Sequence, residues 1–152
     1  MTQLIVRAAT LGAGATAFNL MGNLGVRAVS KITPSYSGAI LAGISSTACF
    51  ILGNMTQERV VHEESDSKEE KQFLYALTVT LIGGATLPHL LSPLTKSTIS
   101  LTASLGYSLL GYAGLNFAFS VIRYIETPST PFTQSFNEFK DEHLNALKYL
   151  RS

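Results

Sequence analysis

Few residues in this chain stand in arrangements that do chemistry. His62, Glu63, Glu64 and Asp66 carry metal-capable side chains close together in sequence. A helical zinc-protease pair needs two histidines four residues apart with a glutamate between them, and His62-Glu63-Glu64 supplies one histidine only. The segment reads instead as a solvated acidic link. His89 is the sole imidazole in an apolar stretch, and Pro88 before it withholds a backbone N–H, which frees a carbonyl one turn earlier. It reads either as a proton-sensitive or ligand-binding group, or as a histidine at the interfacial end of a helix broken by proline. With no carboxylate near it in sequence, the second reading is preferred. Cys49 is the only cysteine, so it supports no intramolecular disulfide and no thiol metal site, and it reads as a small packing residue.

Gly12-Ala13-Gly14, with Ala17 in the third position, begins like a dinucleotide fingerprint. It lacks the preceding buried strand and the acid some twenty residues on. Asn54-Met55-Thr56 matches a glycosylation sequon, a short motif with little specificity. The serine-hydrolase elbow, the phosphate loop and the C-x-x-C pair are absent from the sequence. The expectation is a protein that is not an enzyme, with no catalytic residue, no cofactor and no metal.

The reason for this poverty lies in the elements that would hold such residues. The chain has 152 residues, of which 46% are hydrophobic and only 14% charged, where a soluble domain carries roughly 25%. No acid precedes Glu58, none lies between Glu70 and Glu126, and residues 97–122 carry no formal charge. High hydrophobicity excludes a disordered chain. A net charge of +1 without a basic cluster argues against nucleic acid as a partner.

Four apolar stretches stand out, at residues 8–26, 36–53, 73–94 and 98–122. Their lengths suit helices that cross a bilayer, which takes about 20 apolar residues. They are too long for ordinary strands, and lipid forbids open sheet edges. The first is interrupted by Asn19 and Asn23, and the third spans only if Pro88 is tolerated. Ser67-Lys68-Glu69-Glu70 fits a capping box, which starts the third helix near Lys68 in water. Leu91 to Lys96 is expected to be a tight turn. The fold class is therefore all-α: a polytopic membrane bundle of four transmembrane helices arranged as two hairpins, occupying residues 1–126. A polar tail, residues 127–152, ends the chain with an amphipathic helix. The N-terminal stretch also admits a cleaved secretory signal or a mitochondrial presequence, although it is short, rich in Gly and Ala and poor in Arg.

Membrane helices associate by close backbone approach and interhelical hydrogen bonds, so small residues mark packing faces. On the second helix Gly38, Ala42, Ser45, Ser46, Cys49 and Gly53 share one side, with Ile40, Leu41, Ile44 and Ile51 opposite. On the fourth, Ser100, Ser104, Tyr107, Ser108, Gly111, Gly114 and Ala118 share a face, and Asn116 falls away from it. Gly12, Thr16, Asn19 and Asn23 form a polar stripe on the first. These faces are expected to pack together; the alternative is a solute path lined by hydroxyl and amide groups. No acid lies in any span, which counts against a cation or proton pathway.

In the tail, Phe132, Phe136, Phe139, His143, Leu147 and Leu150 recur at helical spacing. Ser135 and Glu138 offer a second capping box. The stripe of Phe132, Phe136, Phe139, Leu147 and Leu150 is the candidate partner-binding surface, lying on a membrane surface or on another protein. Lys and Arg divide eight to three between alternate ends of the spans, which places both termini on the cytoplasmic side.

The expected function is a small integral membrane protein acting as a non-enzymatic structural or interaction component of a complex. Its expected partners are the lipid bilayer and other membrane subunits or further copies of itself. Alternatives are a channel or transporter subunit that works as an oligomer, and a soluble, unusually apolar helical protein. The layout of paired hydrophobic hairpins with polar tails also resembles the bilobed hydrophobic segments of chlamydial inclusion membrane proteins. That resemblance covers the hydrophobic segments alone. It implies a secreted bacterial effector inserted in a host membrane.

Overall fold

The computed structural model describes residues 2–29, 35–62, 66–95, 98–126, 132–134, 136–138 and 140–141. Four long helices make up the bundle: α1 (Thr2–Val29), α2 (Tyr36–Val60), α3 (Lys68–Leu91) and α4 (Leu101–Glu126). No strand occurs among the described residues. Each helix is long and apolar enough to cross a membrane.

Local chemistry explains the boundaries. Ser35 sits in extended conformation before α2, and its hydroxyl oxygen accepts the Gly38 N–H at 3.0 Å. Ser100 does the same for Ala103 at the start of α4, at 3.2 Å. Each satisfies one of the donors that a helix start leaves unpaired. The expected capping box at α3 is corrected: Ser67 occupies the cap position, but its side chain makes no capping hydrogen bond. The start of α3 rests instead on Glu69 and Glu70, whose charges oppose the positive end of the helix dipole. The second capping box cannot be placed, because Ser135 lies outside the described residues.

The helices are longer than their apolar stretches. Polar residues do not end α2, because Asn54 and Thr56 turn back to the carbonyls of Phe50 and Leu52, at 2.8 Å each. Nor does proline break α3: Pro88 is fully buried inside the helix, which continues to Leu91 and tightens into a 3₁₀ turn at Ser92–Thr95. The picture of a helix broken at Pro88 is thereby corrected.

Successive helices run antiparallel. α1 packs on α2 and α4, α3 packs on α2 and α4, and α2 meets α4 across the bundle, while α1 and α3 do not touch. Arg7 joins the start of α1 to the end of α4 through an ion pair in which two guanidinium nitrogens reach Glu126 Oε1, at 2.7 and 2.8 Å.

The distribution of side chains is the reverse of a soluble core. Soluble domains bury Ile, Val, Leu and Phe. Here the buried set is dominated by Ala15, Ala39, Ala42, Ser45, Ser46, Ser104 and Ser108, with Leu115 the largest fully buried side chain. The large apolar residues face outward: Ile44, Ile82, Leu105 and Leu109 are all more than half exposed. Such a surface suits lipid, and backbones brought close by small residues are how helices associate there.

Candidate functional site

Three buried features of the bundle bear on function: a polar column along its interior, a cleft at one end, and a pocket on its side covered by the tail.

The column begins near the α1–α2 link. The Tyr107 hydroxyl donates to Asn23 Oδ1 at 2.6 Å, and Asn23 Nδ2 donates to the Ser35 carbonyl at 3.1 Å. One amide therefore ties α4, α1 and the start of α2 together. One turn further along α1, Asn19 Nδ2 donates to the Ala39 carbonyl at 3.4 Å. On the other side, Ser108 donates to the Leu81 carbonyl at 2.6 Å and Ser104 to the Ala85 carbonyl, tying α4 to α3. Buried Thr80 completes the column by bonding the Ala76 carbonyl in its own helix. Asn19 Oδ1 and Ser46 Oγ are buried at its centre without a protein partner among the described residues.

Glycines close the bundle around this centre. A Cβ on Gly111 would lie 2.7 Å from Ser46 Oγ and 3.6 Å from Asn19 Nδ2. A Cβ on Gly84 would lie 2.8 Å from Ser46 Oγ and 3.0 Å from Ser108 Oγ. Four helices thus converge closely here, and Ser104 and Ser108 spend their hydroxyls on carbonyls of α3, whereas Ser46 Oγ meets no protein partner among the described residues. This arrangement ties the helices together.

The residues chosen from the sequence as packing positions lie as follows. Gly38, Ala42, Ser45 and Cys49 of α2 are buried, as are Ser104, Ser108, Gly111, Gly114 and Ala118 of α4. Gly38 faces Ile99, and Cys49 faces Gly83. Gly114 meets Gly14 of α1 so closely that a Cβ on Gly14 would fall 2.7 Å from the Gly114 carbonyl oxygen. Gly14 was not among the packing positions read from the sequence. Its signal was present in Gly12-Ala13-Gly14, a pair of small residues whose use is helix contact.

Other candidates take ordinary places. His89 is exposed, and its Nδ1 lies 2.8 Å from the Ile99 carbonyl, so that nitrogen carries the proton and pins the α3–α4 link. The Asn116 amide donates to the Tyr112 carbonyl one turn back, at 2.9 Å. No group of three His, Cys, Asp or Glu suited to a metal occurs among the described residues. Within the acidic link His62 and Asp66 are exposed, while Glu63 and Glu64 lie outside those residues.

At the end where α1 begins and α4 finishes, the bundle opens. A cleft of about 900 Å³ separates the helices and is lined from all four. Its walls include Leu4, Leu11, Phe50, Met55, Phe73 and Leu77, together with Thr80 and Tyr112. A smaller pocket of about 430 Å³ lies on the outer side between Phe18 of α1 and Phe117 of α4.

Two tail residues complete that pocket. Phe132 meets Phe117 edge-on at 5.9 Å, and Phe136 lines the same hollow. Glu138 pairs with Arg123 at 3.1 Å. The tail residues that are described are helical, and Phe132 and Glu138 join them to α4. Phe139, Leu147 and Leu150 of the expected stripe lie outside the described residues. Comparison with family models, with curated proteins and with solved structures finds no match to this chain.

Proposed function

We propose that this chain is a non-enzymatic structural or interaction component of a membrane complex, with both termini on the cytoplasmic side. The observation that carries the reading is the reversed polarity of the bundle. The Tyr107, Ser104 and Ser108 hydroxyls, the Asn19 and Asn23 amide N–H groups and close glycine contacts join the helices, and large apolar side chains form the outer surface. Interior chemistry spent on packing supports a scaffold. The tail adds aromatic and charged groups outside the bundle, with Phe136 more than half exposed.

The experiment compares the full chain with one lacking residues 132–152, both crosslinked in their native membrane. The expected result is that a defined membrane partner is lost with the tail while the shortened chain still resists alkaline extraction. Identical crosslinked partners for both chains would overturn the interaction role of the tail.

A second reading is an oligomeric channel subunit. It is favoured by Asn19 Oδ1 and Ser46 Oγ, two buried polar atoms without protein partners among the described residues of the polar column. Liposomes holding the purified oligomer test it, and absence of solute flux at every oligomer size would remove it.

A further inference from the structure

The cleft at the terminal end of the bundle combines apolar walls with a rim of one sign. Its charged lining residues are Asp66, Glu69, Glu70 and Arg7. Arg7 is held by Glu126, so the lining carries three acidic residues against one guanidinium already paired. Lys68 and Lys71 belong to the same turns of α3 but do not line the cleft. From Glu70 to Thr80 the wall descends ten residues of helix, or about 15 Å at the rise of an α-helix. The uncharged walls are mainly apolar, with Leu11, Phe50, Phe73, Ala76, Leu77 and Phe119, and Thr80, Tyr112 and Asn116 add a few polar groups. The volume of about 900 Å³ lies within the range of small-molecule sites.

We propose that this cleft binds a cationic amphiphile, a molecule with an alkyl or aryl body and an ammonium-type head. The body enters between α1 and α3, which do not touch. The head stays at the rim beside Asp66, Glu69 and Glu70, where water still reaches it and desolvation costs little. An anionic amphiphile of equal length is disfavoured by the same three charges. The proposal rests on the membrane setting of the bundle and goes beyond the role given above. Loss of partner capture by the tail would leave it standing.

The absence of tryptophan from the chain provides the test. Phe73→Trp places a single reporter in the cleft, and Leu109→Trp places one on the outer face, where Leu109 is 64% exposed. Each protein is reconstituted in zwitterionic nanodiscs. Quenching is followed with a brominated alkyltrimethylammonium, a brominated fatty acid of equal length, and brominated phosphatidylcholine.

The expected result is saturable quenching of the cleft reporter at an about tenfold lower concentration of the cationic probe than of the fatty acid. That factor corresponds to three partly exposed charge interactions. The preference falls at high salt, and it disappears in the variant D66N/E69Q/E70Q. The outer reporter shows no such preference. Ala8→Phe, which fills the cleft from α1, weakens the cationic probe without altering the outer reporter. Equal quenching of both reporters by all three probes would mean that bulk lipid alone occupies the cleft and would overturn the proposal. A preference that survives neutralisation of the rim would overturn it as well.

Discussion

Single residues decide how closely these helices approach. Gly14 and Gly114 bring α1 and α4 into backbone contact, and a side chain on Gly14 has only the Gly114 carbonyl and Ala118 to push against. Gly14→Val should therefore lower thermal stability in detergent by about 1–3 kcal/mol, the usual cost of overpacking. Gly106, with nothing within 4 Å of its Cβ position, should accept valine unchanged. Equal melting temperatures for the two variants would contradict the α1–α4 contact. Tyr107→Phe leaves Asn23 Oδ1 without the hydroxyl donor that reaches it and should cost about 1 kcal/mol, in line with interhelical hydrogen bonds in membranes. A double-mutant cycle with Asn23→Ala isolates that coupling, and a coupling of zero would remove the bond from the account. At this scale the sequence was informative where small residues recurred at helical spacing. It was silent on which face meets which: the ties from Tyr107 to Asn23 and from Ser108 to the Leu81 carbonyl link residues 84 and 27 positions apart.

At the scale of elements, the apolar stretches located the helices but understated their lengths. Charge and amide content suggested ends near residues 26 and 53, yet α1 reaches Val29 and α2 reaches Val60. A helix can run on into water while its side chains bond back to its own carbonyls, as Asn54 and Thr56 do. Ser67 shows the converse: the residue pattern of a capping box was present without its side-chain bond, because pattern fixes composition and not rotamer. Of the expected tail helix, residues 132–134, 136–138 and 140–141 are described and helical, but the contact of Phe132 with α4 was not legible, since Phe117 gave no sign of being a receptor. The packing of Phe132 on Phe117 should hold the tail more firmly than the exposed pair Arg123–Glu138, because surface ion pairs contribute little. Phe132→Ala should thus speed tryptic cleavage at Lys140 severalfold, and Glu138→Gln should change it little. The opposite ranking would assign the docking to charge.

Over the whole molecule, placement of charge was more instructive than its scarcity. The ten acids fall in the α2–α3 link region and from Glu126 onward, and the antiparallel bundle brings both regions to one end. The cleft at that end could not be read in advance, because its lining comes from four segments whose proximity only the packing creates. In the proposed topology, four spans place the two termini and the α2–α3 link on one side of the membrane and the other two links opposite. Substituted-cysteine labelling of sealed vesicles tests it most directly, with Cys49→Ala as background and single cysteines at Gln3, His62, Thr98 and Gln134. An impermeant thiol reagent is expected to label Gln3→Cys, His62→Cys and Gln134→Cys from the same side, and Thr98→Cys only from the other. Labelling of His62→Cys and Thr98→Cys from one side would contradict it.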